Sequence, residues 1–295
     1  MIVNRYVLDN RISEADKNRL RQNCVKSYRN HILRIIDKEY CQVFEKNYLF
    51  SSVEIETINR CNGSCPFCPV NRRDDIREYA KMQTDLFLKI IDELGEMNYQ
   101  GRIALHSNNE PFLDDRMVEF AAYARVKVPH AYIYLYTNGT LLNTGLLKSI
   151  LPYLDRIYID NYDDELKLHE NVLSIHRMCQ KDPAMDKKVI ICLRKINEVL
   201  TTRGGMSPNN SSKIIHDNLP CILPFRQLVI RPDGKISLCC NDPYGKYTLG
   251  ESNVLTLRKI WFSDSFDEIR RKIMTGRHNL EYCRYCDNLP NIYSY

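Results

Sequence analysis

Three thiols within eight residues, Cys61, Cys65 and Cys68 at spacing C-x₃-C-x₂-C, restrict this chain more than any other feature. Iron–sulfur clusters are held by cysteine thiolates. A four-iron cube needs four ligands, so three cysteines on one loop leave one iron without a protein ligand and open to a small molecule. A structural zinc ion wants four ligands, usually in two separated pairs. The triplet also stands directly behind Val53-Glu54-Ile55-Glu56-Thr57-Ile58, whose alternation is that of a half-buried strand. It reads as a cluster-binding loop at a strand's end.

Twelve cysteines are many for 295 residues. Disulfides persist in oxidising compartments, but residues 1–10 hold no apolar core long enough for a secretory signal. No window approaches the 18 or so uncharged apolar residues of a membrane span. A cytoplasmic location is expected, where cysteines more often bind metal or do chemistry. Lys and Arg number 42 against 37 Asp and Glu, a net charge of +5. That mild excess does not argue for nucleic acid, whose readers carry a concentrated basic stripe. Neither a nucleic-acid nor a membrane partner is expected.

The length suits one large domain or a domain plus a small module. Apolar residues recur at helical spacing through 14–46, with Cys24 and Cys41 as packing residues, so 1–50 reads as a helical N-terminal extension. Strand-like runs then fall at 53–58, 102–106, 131–136, 156–160 and 189–194, with helical segments near 84–97, 114–127, 141–152 and 165–180. Such alternation predicts an α/β fold, a parallel sheet covered by helices. Right-handed crossovers curl it into an open barrel, and the units over 51–205 are too few for a full eight-fold one, so a partial barrel is expected. Beyond Arg203-Gly204-Gly205, a Pro/Asn/Ser-rich stretch at 206–212 reads as a linker. A hairpin follows around Asp233-Gly234, then a helical segment near 254–275. Residues 206–295 read as linker and a small C-terminal module.

That module holds a second cysteine set. Cys221, Cys239, Cys240, Cys283 and Cys286 all fall in the last 75 residues; four of them can make a fully protein-ligated site, and spacing alone does not separate zinc from iron. If Cys239 is a ligand, Cys240 is left over beside it, as a free thiol or an alternative ligand. Neighbours on a strand point to opposite faces, so Cys240 is a candidate thiol facing the barrel mouth.

With the aromatic Phe67 just before its third cysteine, the loop resembles the signature of the radical S-adenosylmethionine (radical SAM) superfamily. The C-terminal set resembles the shortened, twitch-type relative of the SPASM auxiliary-cluster module. The resemblance covers about residues 53–288. It implies a partial (β/α)6 barrel, a [4Fe–4S] cluster with SAM at Cys61, Cys65 and Cys68, and an auxiliary [4Fe–4S] cluster at Cys221, Cys239, Cys283 and Cys286. It implies SAM contacts from Phe67, from Asn109 and Glu110 in Ser107-Asn108-Asn109-Glu110-Pro111, from Thr137 and Asn138, and from Arg194. The family's usual two glycines before the Glu-Pro pair are replaced by Asn108 and Asn109. Reduction by a flavodoxin- or ferredoxin-type partner is implied as well. SAM cleavage would yield a 5′-deoxyadenosyl radical that takes hydrogen from a substrate C–H bond.

The expected outcome is epimerisation of a sugar- or aminocyclitol-type molecule, with Cys240 returning hydrogen and Arg203 binding substrate. Three alternatives stay open. They are dehydrogenation of a secondary alcohol through the auxiliary cluster, maturation of a ribosomal peptide, and a non-catalytic zinc protein.

Overall fold

The computed structural model describes residues 1–4, 29–38, 43–70, 77–210 and 219–288. Cys24, Cys41, most of the helical stretch at 14–46 and the end of the 206–212 linker lie outside them. Residues 29–38 are helical and bury Ile32 and Ile36.

The strands are β1 (Ile2–Asn4), β2 (Ser52–Ile55), β3 (Arg102–Ala104), β4 (Tyr132–Thr137), β5 (Arg156–Tyr162), β6 (Val189–Arg194), β7 (Gln227–Ile230), β8 (Lys235–Ser237) and β9 (Thr248–Glu251). Among the described residues they form one sheet in the order β1-β6-β5-β4-β3-β2-β7-β8-β9. Every pairing from β1 to β7 is parallel. Only β7–β8 and β8–β9 are antiparallel. Crossover helices α1 (Thr84–Glu96), α2 (Met117–Lys127), α3 (Thr144–Ile150), α4 (Glu170–Cys179) and α5 (Pro183–Lys188) join the strands, as parallel order demands. The result is an open partial barrel of α/β type.

The strands alternate two kinds of residue. Register sets Val53 beside Ile103, and Ile103 beside Ile133. It sets Ile157 beside Val189 and Ile159 beside Ile191. These aliphatic rows join one core with Phe87, Ile90 and Leu94 of α1. Burying such side chains is the main favourable term holding the layers together. The alternate residues are polar or aromatic, and Glu54, His106, Tyr136, Asp160 and Arg194 line a cavity on the inner face. A period-two pattern thus separates packing from ligand binding.

Two elements differ from the sequence expectation. Ile2–Asn4 is not part of a helical extension but an edge strand parallel to β6. The single helix expected near 254–275 is α6 (Leu257–Trp261) followed by α7 (Asp264–Thr275). The Ser263 hydroxyl accepts the Phe266 amide at 3.4 Å and restarts the helix as an N-cap. The C-terminal module does not stand apart from the barrel, because β7 pairs with β2 over Ser52 to Ile55.

Candidate active site

The cysteine loop leaves β2 and is folded by local contacts. The Cys68 amide donates to the Cys65 carbonyl at 3.0 Å. The Gly63 amide donates to Cys61 Sγ at 3.3 Å. A Cβ on Gly63 would stand 3.5 Å from Cys61 Sγ and 3.8 Å from Cys65 Sγ, so the backbone passes close by two of the thiols. Burial raises the Cys61 thiol above its usual range, and the Gly63 amide pulls the other way. Asn138 ties the loop to the end of β4, donating to Cys61 Sγ at 3.7 Å and to Asn62 Oδ1 at 2.8 Å.

The three thiols open onto a cavity of about 400 Å³, within the range of small-ligand sites. Phe67, Asn109, Glu110, Thr137, Asn138 and Arg194 all border it, as do Arg203 and Cys240. The residues expected at the SAM and substrate ends therefore share one space at the C-terminal ends of the parallel strands, where barrels build their sites.

Their polar atoms are not equally available. Glu110 is 1% exposed. It accepts from Thr137 Oγ1 at 2.7 Å, the Asn138 amide at 2.8 Å and the Phe112 amide at 3.2 Å. The Arg194 guanidinium forks onto Glu198 Oε2 at 2.5 and 3.0 Å. Thr137, Glu110 and Arg194 are thus held in a wall whose hydrogen bonds face one another and Glu198. Asn109 differs. Its Oδ1 accepts the Ser107 amide at 2.9 Å, while its Nδ2 is buried without a hydrogen-bond partner among the described residues. A buried donor left so is costly unless a ligand satisfies it.

The far end is organised by Glu54, a residue the sequence reading passed over as part of a strand signature. Glu54 accepts from Ser107 Oγ at 2.7 Å and Gln227 Nε2 at 2.6 Å. Burial raises its carboxyl to about 7, against the pull of the Ser107 hydroxyl and the Arg203 guanidinium. Gln227 Oε1 in turn accepts the Cys240 amide at 3.1 Å. Asn108 completes the ring, donating to the Cys240 carbonyl at 3.3 Å and accepting from Arg203. Burial, reinforced by Glu54, pushes the Cys240 thiol far above its usual range, which keeps it as S–H. His106 also lines the cavity. Burial lowers it to about 3, so the ring is neutral near pH 7.

Arg203 reaches this ring from a left-handed turn. Its φ is +51° and those of Gly204 and Gly205 are +65° and +85°. Such a run is costly for a residue with a Cβ, and tertiary bonds hold it. The Thr202 amide donates to Asp287 Oδ1 at 2.8 Å and its hydroxyl to the Tyr285 carbonyl at 2.6 Å. Ser207 Oγ donates to the Phe67 carbonyl at 3.0 Å. One loop thus joins the neighbourhood of Cys68 to that of Cys286.

Cys221, Cys239, Cys283 and Cys286 line a second, mostly apolar space of about 20 Å³. Burial raises Cys239 and Cys283 well above the usual thiol range, and the neighbouring thiolates add to it. Several buried thiolates facing one another are stable only around a metal. Four cysteines around one space are the ligand set that an iron–sulfur cube needs.

Residues 55–200 match the radical SAM superfamily, and residues 221–287 match the SPASM iron–sulfur cluster-binding domain. The S-adenosyl-L-methionine-dependent 2-deoxy-scyllo-inosamine dehydrogenase of Niallia circulans is 25% identical over 252 residues, covering 82% of this chain and 94% of that protein. The crystal structure of BtrN in complex with AdoMet and 2-DOIA superposes with a TM-score of 0.69 at 25% identity, covering 82% of this chain and 94% of that one. A selenomethionine form of BtrN in an open conformation gives 0.61 at 21%, with the same coverage of both chains. Two cysteine sets, each in the region that its family match covers, and an open parallel barrel place the chain in the radical SAM superfamily, as an enzyme with SAM and iron–sulfur cofactors and a SPASM-type auxiliary domain.

Proposed function

We propose that the chain is a radical SAM dehydrogenase oxidising a secondary alcohol of an aminocyclitol- or sugar-type molecule. In this reading Cys61, Cys65 and Cys68 hold the SAM-binding cluster. Phe67, Asn109 and Asn138 contact SAM, on a wall stiffened by Glu110, Thr137 and Arg194. Cys221, Cys239, Cys283 and Cys286 hold the auxiliary cluster. When bound, these groups supply a radical that removes a carbinol hydrogen and a sink for the second electron.

The chain's own residues do the remaining work. Arg203, braced by Asn108, binds the substrate hydroxyl. Glu54 accepts the hydroxyl proton; a carboxyl raised to about 7 is matched to that task near neutral pH. Ser107 and Gln227 fix the orientation of the carboxylate. The observation that carries the reading is the pair Cys239–Cys240. Cys239 lines the auxiliary site and the next residue lines the SAM cavity, so a cluster held at Cys239 would adjoin the cavity that takes the substrate. The similarity to a 2-deoxy-scyllo-inosamine dehydrogenase supports the same outcome.

Epimerisation is the second reading. It is favoured by Cys240 itself, a thiol in the cavity that burial holds protonated. Among the described residues no helix is long and apolar enough to cross a membrane, and we place the enzyme in the cytoplasm with a flavodoxin- or ferredoxin-type reductant. The test is 5′-deoxyadenosine release by the anaerobically reconstituted protein with 2-deoxy-scyllo-inosamine, neutral sugars or cysteine-containing peptides. Stimulation by the aminocyclitol with formation of an oxime-trappable ketone supports the reading. Stimulation by peptides alone contradicts it.

A further inference from the structure

α7 ends at Thr275, and Gly276, with φ +150°, turns the chain back toward the auxiliary cysteines. The next residue, Arg277, is 1% exposed. Its Nη1 donates to the Cys286 carbonyl at 2.8 Å, and it lines the same small space as the four thiols. A guanidinium keeps its charge even when buried. Arg277 thus sets a fixed positive charge in the wall of the space that the four thiols line. The Asp287 carboxylate, next in the chain after Cys286, opposes it.

Four thiolates around a [4Fe–4S]²⁺ core carry a net charge of about −2, and reduction takes it to about −3; net charge and burial are among the factors that set such potentials. A fixed cation in a poorly screened space favours the more negative state. We propose that Arg277 tunes the auxiliary cluster, raising its reduction potential so that it accepts an electron readily. The role does not depend on the substrate or on whether the carbon is oxidised or inverted. It rests only on cluster binding at the four cysteines.

The test is an EPR-monitored redox titration of the full chain carrying Cys61→Ala, Cys65→Ala and Cys68→Ala, so that only the auxiliary cluster is present. Arg277→Gln retains a donor for the Cys286 carbonyl and removes the charge. It should lower the midpoint by at least a tenfold change in the reduction equilibrium, which is about 59 mV for one electron. Arg277→Lys should stay near the parent. An unchanged midpoint in Arg277→Gln, or equal shifts in both variants, would overturn the proposal. If Arg277→Gln does not retain iron, Asp287→Asn decides. Its Oδ1 still accepts the Thr202 amide, and loss of its charge should raise the midpoint. No shift there would refute control of the potential by these charges.

Discussion

Replacing Glu54 by Gln should make the protein more stable and less active, and the stability gain should depend on pH. The carboxyl titrates near 7 in the fold against a usual value of 4.5. Its ionised form is the one that burial penalises. The stability that the protonated group contributes is complete below pH 4.5 and is lost as pH rises through 7. Above pH 7 the penalty amounts to about 3 kcal/mol, from about 1.4 kcal/mol per pH unit. Gln is isosteric and can keep both contacts. Its Oε1 accepts from Gln227, and its amide donates to the Ser107 hydroxyl, which can act as acceptor. Urea unfolding of parent and Glu54→Gln should therefore agree near pH 4.5, and the variant should lead by about 2–3 kcal/mol at pH 8.5. Glu56, raised to about 8 by burial with a smaller push from the Glu54 charge, adds a little in the same direction. Ketone formation should fall by about 10²–10⁴-fold, the usual range for removing a general base, while SAM binding stays intact. Equal stability at both pH values would refute the burial argument, and undiminished ketone formation would refute the role as base.

Cys61→Ala, Cys65→Ala and Cys68→Ala together should lower iron from about eight per chain to about four, as expected for one of two cubanes, and abolish SAM cleavage. Cys240→Ala should retain both clusters and still oxidise substrate; loss of iron would make it a ligand, and loss of turnover with clusters intact would favour the thiol-donor reading. Gly139→Ala should lower thermal stability by about 1–3 kcal/mol, because φ is +77° and the new Cβ would stand 2.6 Å from Ile159 Cγ2; an unchanged melting temperature would argue against that turn. His106, neutral because burial lowers it to about 3, should contribute stability above pH 6.5 that is lost on acidification toward 3. The pH slope between 6.5 and 5 should flatten in His106→Gln, and an unaltered slope would show that the ring is not buried.

The strands of the barrel were legible because Val53, Ile55, Ile103, Ile133 and their neighbours repeat at period two and are bounded by helices of adequate length. Ile2–Asn4 was not, since three residues carry no period and their pairing with β6 depends on sequence far away. The split between α6 and α7 turns on the Ser263 side chain, which a periodicity scan does not weigh. In the site, Cys61, Cys65 and Cys68 were visible because their geometry is local. Arg203 and Cys240 were singled out one at a time, but their ring with Glu54, Ser107, Asn108 and Gln227 was not visible, because its members meet only after the sheet forms. One signal was present: Glu54 and Glu56 occupy the alternate face of a strand whose other face is Val53 and Ile55. Two carboxylates inside a barrel, just ahead of a cluster loop, require partners and a purpose. Arg194 lines the cavity as expected, and its pairing with Glu198, four residues on in the chain, is the part that the sequence reading did not foresee.

The measurement that bears most directly on the central claim is the mass of the organic product formed from 2-deoxy-scyllo-inosamine in deuterated water, taken after back-exchange in ordinary water. Oxidation assisted by Glu54 and the auxiliary site predicts a product two mass units lighter than the substrate, with no retained solvent deuterium at the reacting carbon. A product one unit heavier, carrying a single carbon-bound deuterium and no carbonyl, would contradict it and assign Cys240 the decisive step.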